Sequence, residues 1–164
     1  MAGKEPAVAA TLRFLQFLSL GTWIGSIVYM SFVIAPGAFS ILPSRDLAGA
    51  MVNYSLASLH TIGIVAGVIY LLARAASEKS LAALAEPAAL LVLLMIVLTM
   101  VSQFGVSPRM AALRVQMGSV DATAAESPLR VAFNRLHQYS VWLESAVLLS
   151  GLVALFLTAR QKFS

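Results

Sequence analysis

The chain has 164 residues, of which 60% are hydrophobic and 11% charged, against about 45–50% and about 25% in ordinary soluble domains. With a mean hydropathy of +0.88, there are too few polar groups to cover a water-facing surface. That excludes a soluble enzyme, a disordered tail and a free nucleic-acid binder. The net charge of +4, spread over short loops, suits anionic lipid headgroups rather than nucleic acid, and the lack of cysteine removes disulfides, thiolate metal sites and thiol nucleophiles.

Crossing a bilayer takes roughly 20 mostly apolar residues as a helix, and four stretches satisfy that. The first covers about residues 11–35, with Pro36 and Gly37 ending it. Arg13 interrupts the place where the apolar region of a signal peptide would begin, so an uncleaved first helix is expected. A tight turn carrying Leu42-Pro43-Ser44-Arg45 leads to the second span, about residues 47–73, closed by Arg74. The third covers about residues 84–105, with Pro87 tolerated in its first turn. Residues 106–128 form the one longer connection. Met110, Leu113 and Met117 recur there at helical spacing with Arg109 and Arg114 between them, as in a helix that continues into the interface or lies along it. The fourth span covers about residues 129–159, closed by Arg160 and Lys162.

The fold class is therefore all-α, an integral membrane four-helix bundle with both termini on one side, here called side A. Lys4, Arg13, Arg74, Lys79, Arg160 and Lys162 fall on side A, and Arg45, Arg109, Arg114, Arg130 and Arg135 on side B. That small excess leans toward cytoplasmic termini.

Two small-xxx-small pairs, Gly21/Gly25 and Gly63/Gly67, lie in the side-A halves of the first two helices. Faces without side chains let helix backbones approach closely, where lipid offers no hydrophobic drive for association. The expectation is that the two faces meet within one chain; a homodimer face is the alternative.

Polar residues repeat every seven positions: Asn53, His60, Gly67 and Arg74 on the second helix, and Arg130, His137, Glu144 and Gly151 on the fourth, with Asn134 alongside. Seven residues are nearly two turns, so each set lines one stripe. A charge facing lipid costs about 2.5–3.5 kcal/mol, so both stripes should face the interior. Counting from the side-B helix ends puts His60 and Glu144 near the midplane, level with Ser26 and Thr99. It puts His137 shallower, with Gln103, Tyr29 and Asn53. Two polar layers follow: His60 with Glu144, and His137 with Gln103 and Asn53.

Several chemistries fit such layers. Two histidines on different helices are how membrane cytochromes hold haem. The difference in depth opposes one haem held by both, leaving a haem or chlorophyll on His60 or His137 alone. No metal site is expected, because His60 and Glu144 with Thr99 offer only two good ligands. A buried Glu–His pair is also what proton relays and solute sites use, and its plain structural role is a hydrogen bond fixing helix register. Hydrolytic motifs and a Walker loop are missing, so no catalytic residue is assigned and the reading leans away from an enzyme.

Trp23-Ile24-Gly25, Ala35-Pro36, Leu42-Pro43-Ser44-Arg45, Pro108-Arg109, Arg114 and Asn134-Arg135-Leu136-His137 with Ser140 together resemble the transmembrane-protein-205-like family, whose bacterial members are a domain of unknown function. The likeness runs from about Phe14 to Leu155. It implies a small four-span membrane protein; the animal member is associated with platinum-drug resistance and trafficking, and no catalytic residue is established. By matched position, Trp23, Gly25, Pro36, Pro43, Arg45, Pro108, Arg109, Arg114 and His137 would be the family's marked residues. Glu144 departs from it, where an amide is usual. The Pro-Arg turns have a plainer use as headgroup anchors.

Three functions stay open: an accessory or scaffolding subunit of a membrane complex, which comes first; a small transporter or efflux helper using the His/Glu layer; and a haem or chlorophyll carrier. The implied partners are the lipid bilayer and other membrane subunits, not nucleic acid.

Overall fold

The computed structural model describes residues 4–160, with side chains from Ala7 onward. Lys162, counted above on side A, lies outside the described residues. Helix α1 (Lys4–Tyr29) passes through a π-helical turn, Met30–Ile34, into α2 (Ala35–Ile41). Helix α3 (Arg45–Ser77) returns across the bundle, and a 3-10 turn, Leu81–Ala85, leads to α4 (Pro87–Met100). A second π turn, Val101–Val106, joins α4 to α5 (Ser107–Met117), and α6 (Pro128–Arg160) completes the bundle. Four stretches are long and apolar enough to cross a membrane: Ala7–Ile41, Arg45–Ser77, Pro87–Met117 and Pro128–Arg160. The protein is an integral membrane four-helix bundle.

The first and third spans run further than the proline positions suggest. Proline inside a helix removes one backbone donor and crowds the preceding turn. Here Pro36 and Pro108 each follow a π turn, Met30–Ile34 and Val101–Val106. Those wider turns absorb the prolines, so the first helix passes Pro36 and reaches Ile41, and the third reaches Met117. Elsewhere the punctuation is conventional. The Ser44 hydroxyl accepts the Leu47 N–H at 3.2 Å to cap α3, Pro87 and Pro128 start α4 and α6, and Gly118, at φ 69°, ends α5.

In cross-section α1 packs on α3, α3 on α4, α4 on α6 and α6 back on α1. Trp23, Leu20, Ile27, Tyr70, Val92, Met95 and Val147 form the buried centre. Its key fit is a wide side chain in a slot without side chains. A Cβ on Gly63 would fall 2.2 Å from Trp23 Nε1, and one on Gly67 would fall 2.8 Å from the Trp23 ring and 2.9 Å from Ile96. The second glycine pair therefore receives Trp23. The expectation that it meets Gly21/Gly25 is corrected: those two are exposed, and nothing lies within 4 Å of a Cβ placed on either. Trp23 occupies one helical face, and a glycine two positions before or after it points elsewhere.

At the side-A end, Arg74 is buried and bridges Glu78 at 3.1 Å and Glu86 at 2.5 Å. Nearby, the hydroxyls of Tyr70 and Thr158 lie 2.7 Å apart and tie α3 to α6. This end of the interior is closed.

Candidate functional site

The side-B half is different. A cavity of about 500 Å³ lies between the second half of the first span, the start of α3, α5 and the first half of α6. That is within the roughly 300–1,000 Å³ of small-molecule sites. Ile27, Met30, Val52, Leu56 and Leu148 give it an apolar wall; Asn53, Asn134, His137 and Glu144 give it a polar one. Arg45, Asp46, Arg114 and Arg130 surround its side-B mouth.

At the inner end stands the pair expected from spacing. His60 is fully buried (0% exposed), and its Nε2 lies 3.2 Å from Glu144 Oε2. Glu144 is half-buried and lines the cavity, whereas His60 stands behind it. The other ring nitrogen, Nδ1, lies 2.7 Å from Gln103 Oε1. Gln103 is thus brought to His60, not to His137 and Asn53 as depth counting suggested. The count took the third helix to be regular, but Gln103 sits inside the π turn Val101–Val106, which re-aims it.

The hydrogen-bond chemistry fixes the protons. An amide oxygen only accepts, so Nδ1–H donates to Gln103. The Nε2–Oε2 bond then holds one proton between an imidazole and a carboxyl group, and the pair carries no net charge whichever side holds it. Glu144 Oε1 is buried without a hydrogen-bond partner. Thr99, near the end of α4, and Ser102, in the π turn after it, are buried, and their hydroxyls have no hydrogen-bond partner among the described residues. Thr99 is in the interior, as its depth suggested, though no bond joins it to the pair.

His137 and Asn53 are exposed along the cavity wall. For a tetrapyrrole this matters: both nitrogens of His60 are engaged, so ligation there would break one of the two bonds, while His137 presents its ring to open space. Among the described residues no group of three or more His, Cys, Asp or Glu side chains could hold a metal ion.

Spacing did not reveal the mouth. Asp46 Oδ1 accepts the Val120 N–H at 2.9 Å, and Oδ2 accepts the Ser119 hydroxyl at 2.5 Å. Asp121 accepts the Arg45 N–H at 3.0 Å, and Arg130 donates to the Val120 carbonyl. Together these bonds hold residues 118–127 against the start of α3. The Arg114 guanidinium reaches Gly49 O at 3.4 Å and lies over the Phe133 ring, 5.5 Å from its centroid. Of the other motif residues, Pro43 precedes the α3 cap, and Arg109 lies one turn before Arg114 on α5, exposed.

The model of a domain of unknown function, DUF4149, matches residues 18–119. The chain belongs to the DUF4149 family. The matched segment carries Trp23, the Gly63/Gly67 slot, His60, Gln103 and two of the mouth arginines. In this DUF4149 chain Arg130, His137 and Glu144 lie beyond the segment, so the site is assembled across its boundary. No curated protein and no solved structure matches the chain.

Proposed function

We propose that this chain is a small membrane carrier. It takes a solute into the side-B cavity and links occupancy to the proton held between Glu144 and His60. One observation supports this above all: Glu144 lines the cavity and at the same time bonds a histidine that the cavity does not reach. A ligand that displaces the Glu144 carboxyl group from Nε2 obliges the shared proton to settle on one partner. Such intramembrane ionisable pairs are costly to keep and serve transport chemistry elsewhere. Toward side A the interior is filled by Trp23, Ile24 and Met95, against Gly67 and Gly151. The described state is therefore open to one side only, and passage requires that plug to move.

The test uses the absence of native cysteine. Ser145→Cys places one thiol on the cavity wall beside Glu144. A membrane-impermeant maleimide should label it from side B in the resting protein, and from side A once Glu144→Gln removes the shared proton. Labelling from side B alone under every condition would make the cavity a fixed pocket and overturn the carrier reading.

A second reading, an accessory subunit, draws on the exposed Gly21/Gly25 face, which has space for a close helix. It predicts co-purification at fixed stoichiometry, lost in Gly25→Leu. The narrower kinship with transmembrane-protein-205-like chains belongs to the same proposal, since a carrier of small molecules suits a family whose animal member is associated with platinum-drug resistance.

A further inference from the structure

We infer that the cavity holds an acidic membrane lipid, its anionic head among Arg45, Arg114 and Arg130 and one acyl chain along the apolar wall. The inference rests on the carrier reading's premise that the cavity is a ligand site, and it names what enters.

Charge at the mouth carries the argument. Among the described residues, none of these three guanidinium groups lies within 4 Å of a carboxylate oxygen; the ion pairs there are those of Arg74 with Glu78 and Glu86 and of His60 with Glu144. Asp46, the acidic group among them, spends its oxygens on Ser119 and Val120. Asp121 takes the Arg45 backbone N–H. The Nε atoms of Arg114 and Arg130 are buried with no hydrogen-bond partner at all. Each guanidinium carries five donors, yet Arg114 and Arg130 each make a single hydrogen bond, to a backbone carbonyl. Asp46 attracts Arg114 across the mouth and Asp121 lies at Arg45, so two carboxylates face three guanidinium groups. The positive charge left over at a membrane interface calls for an anion with several oxygens, and a phosphate diester supplies them.

The remaining walls choose between a free anion and a lipid. An inorganic anion has no use for Ile27, Met30, Leu56 and Leu148, which line the cavity below the arginines. An acyl chain does. Asn53 and His137, on the polar wall between mouth and base, offer donors to ester carbonyls. The mouth lies at the side-B ends of α3 and α6, the depth of the headgroups of that leaflet.

The experiment is native mass spectrometry of the full chain in mild detergent, with equimolar phosphatidylglycerol and phosphatidylcholine of identical acyl chains. The wild-type protein should retain one phosphatidylglycerol with a preference of at least about ten-fold, the least that one charge-assisted hydrogen bond supplies. Arg114→Gln with Arg130→Gln should abolish the preference, and Arg160→Gln, at the side-A end, should not. Equal retention of the two lipids by the wild type overturns the inference without recourse to any variant. Displacement of the lipid by inorganic phosphate overturns the lipid in favour of a free-anion site. Equal retention, with Ser145→Cys labelled from side B at rest and from side A once Glu144→Gln is added, sinks the lipid alone. A ten-fold preference with labelling from side B only upholds the lipid and sinks the carrier.

Discussion

His60 and Glu144, 84 positions apart in the chain, meet through a single contact of 3.2 Å between Nε2 and Oε2. Among the described residues each is the other's only side-chain partner at that atom, and Gln103 holds the far side of the ring. Glu144→Gln keeps a donor for Nε2, so it should change thermal stability by less than about 1 kcal/mol, within the range of one interhelical hydrogen bond. Glu144→Leu leaves a buried nitrogen unpaired and should cost about 1–3 kcal/mol. Thermal unfolding of both variants in one detergent separates the two values. Equal losses would mean that the pair contributes no hydrogen bond.

That pair was legible because an i, i+7 stripe of polar residues on an otherwise apolar helix has one sensible place to go, the interior. Its third member was not. Gln103 is directed by a π turn, and nothing in the composition of Val101–Val106 distinguishes that turn from ordinary helix; the clue is Pro108 just beyond it. The same blind spot ended the first span at Pro36. Asp46 went unread for another reason: its partners, Ser119 and Val120, lie more than 70 positions away in an irregular segment without periodicity. The glycine pairs show the limit of motif reading. Gly21/Gly25 and Gly63/Gly67 look alike in sequence, and only the placement of Trp23 decides which one packs.

Those glycines give a sharp contrast. Gly63→Ala drives a methyl group into the Trp23 ring and should destabilise the bundle by about 2–3 kcal/mol, the upper part of the overpacking range. Gly21→Ala and Gly25→Ala meet open space and should be neutral or slightly stabilising. Trp23→Phe, which trims the atoms nearest Gly63, should recover much of the Gly63→Ala loss in a double-mutant cycle. Additive losses would place Trp23 away from Gly63.

Asp46 tethers residues 118–127 through two hydrogen bonds. In Asp46→Ala, limited proteolysis within that segment should accelerate several-fold, while helical content by circular dichroism stays the same. Ser119→Ala, which removes one of the bonds, should show a smaller acceleration. Unchanged cleavage in both would mean that the segment is held by Arg130 and Asp121 instead.

Arg74 is the closing ion-pair centre at side A, buried itself but paired with half-exposed glutamates. Arg74→Leu should cost about 2 kcal/mol. That sits between the roughly 0–1 kcal/mol of exposed pairs and the 3–5 kcal/mol of buried ones, because water screens both carboxylates. The loss should shrink in high salt if screening sets its size.

The most direct measurement is carbodiimide modification of the full chain in membranes, with the adduct located by peptide mass. A hydrophobic carbodiimide reacts with a carboxyl group that carries a proton, and Glu144 is in that form whenever the proton shared with His60 sits on Oε2. The account predicts an adduct on Glu144 that disappears in Glu144→Gln and diminishes when Val52→Trp fills the cavity. A folded wild-type protein that takes no adduct at Glu144, while its other carboxyl groups react, would contradict it.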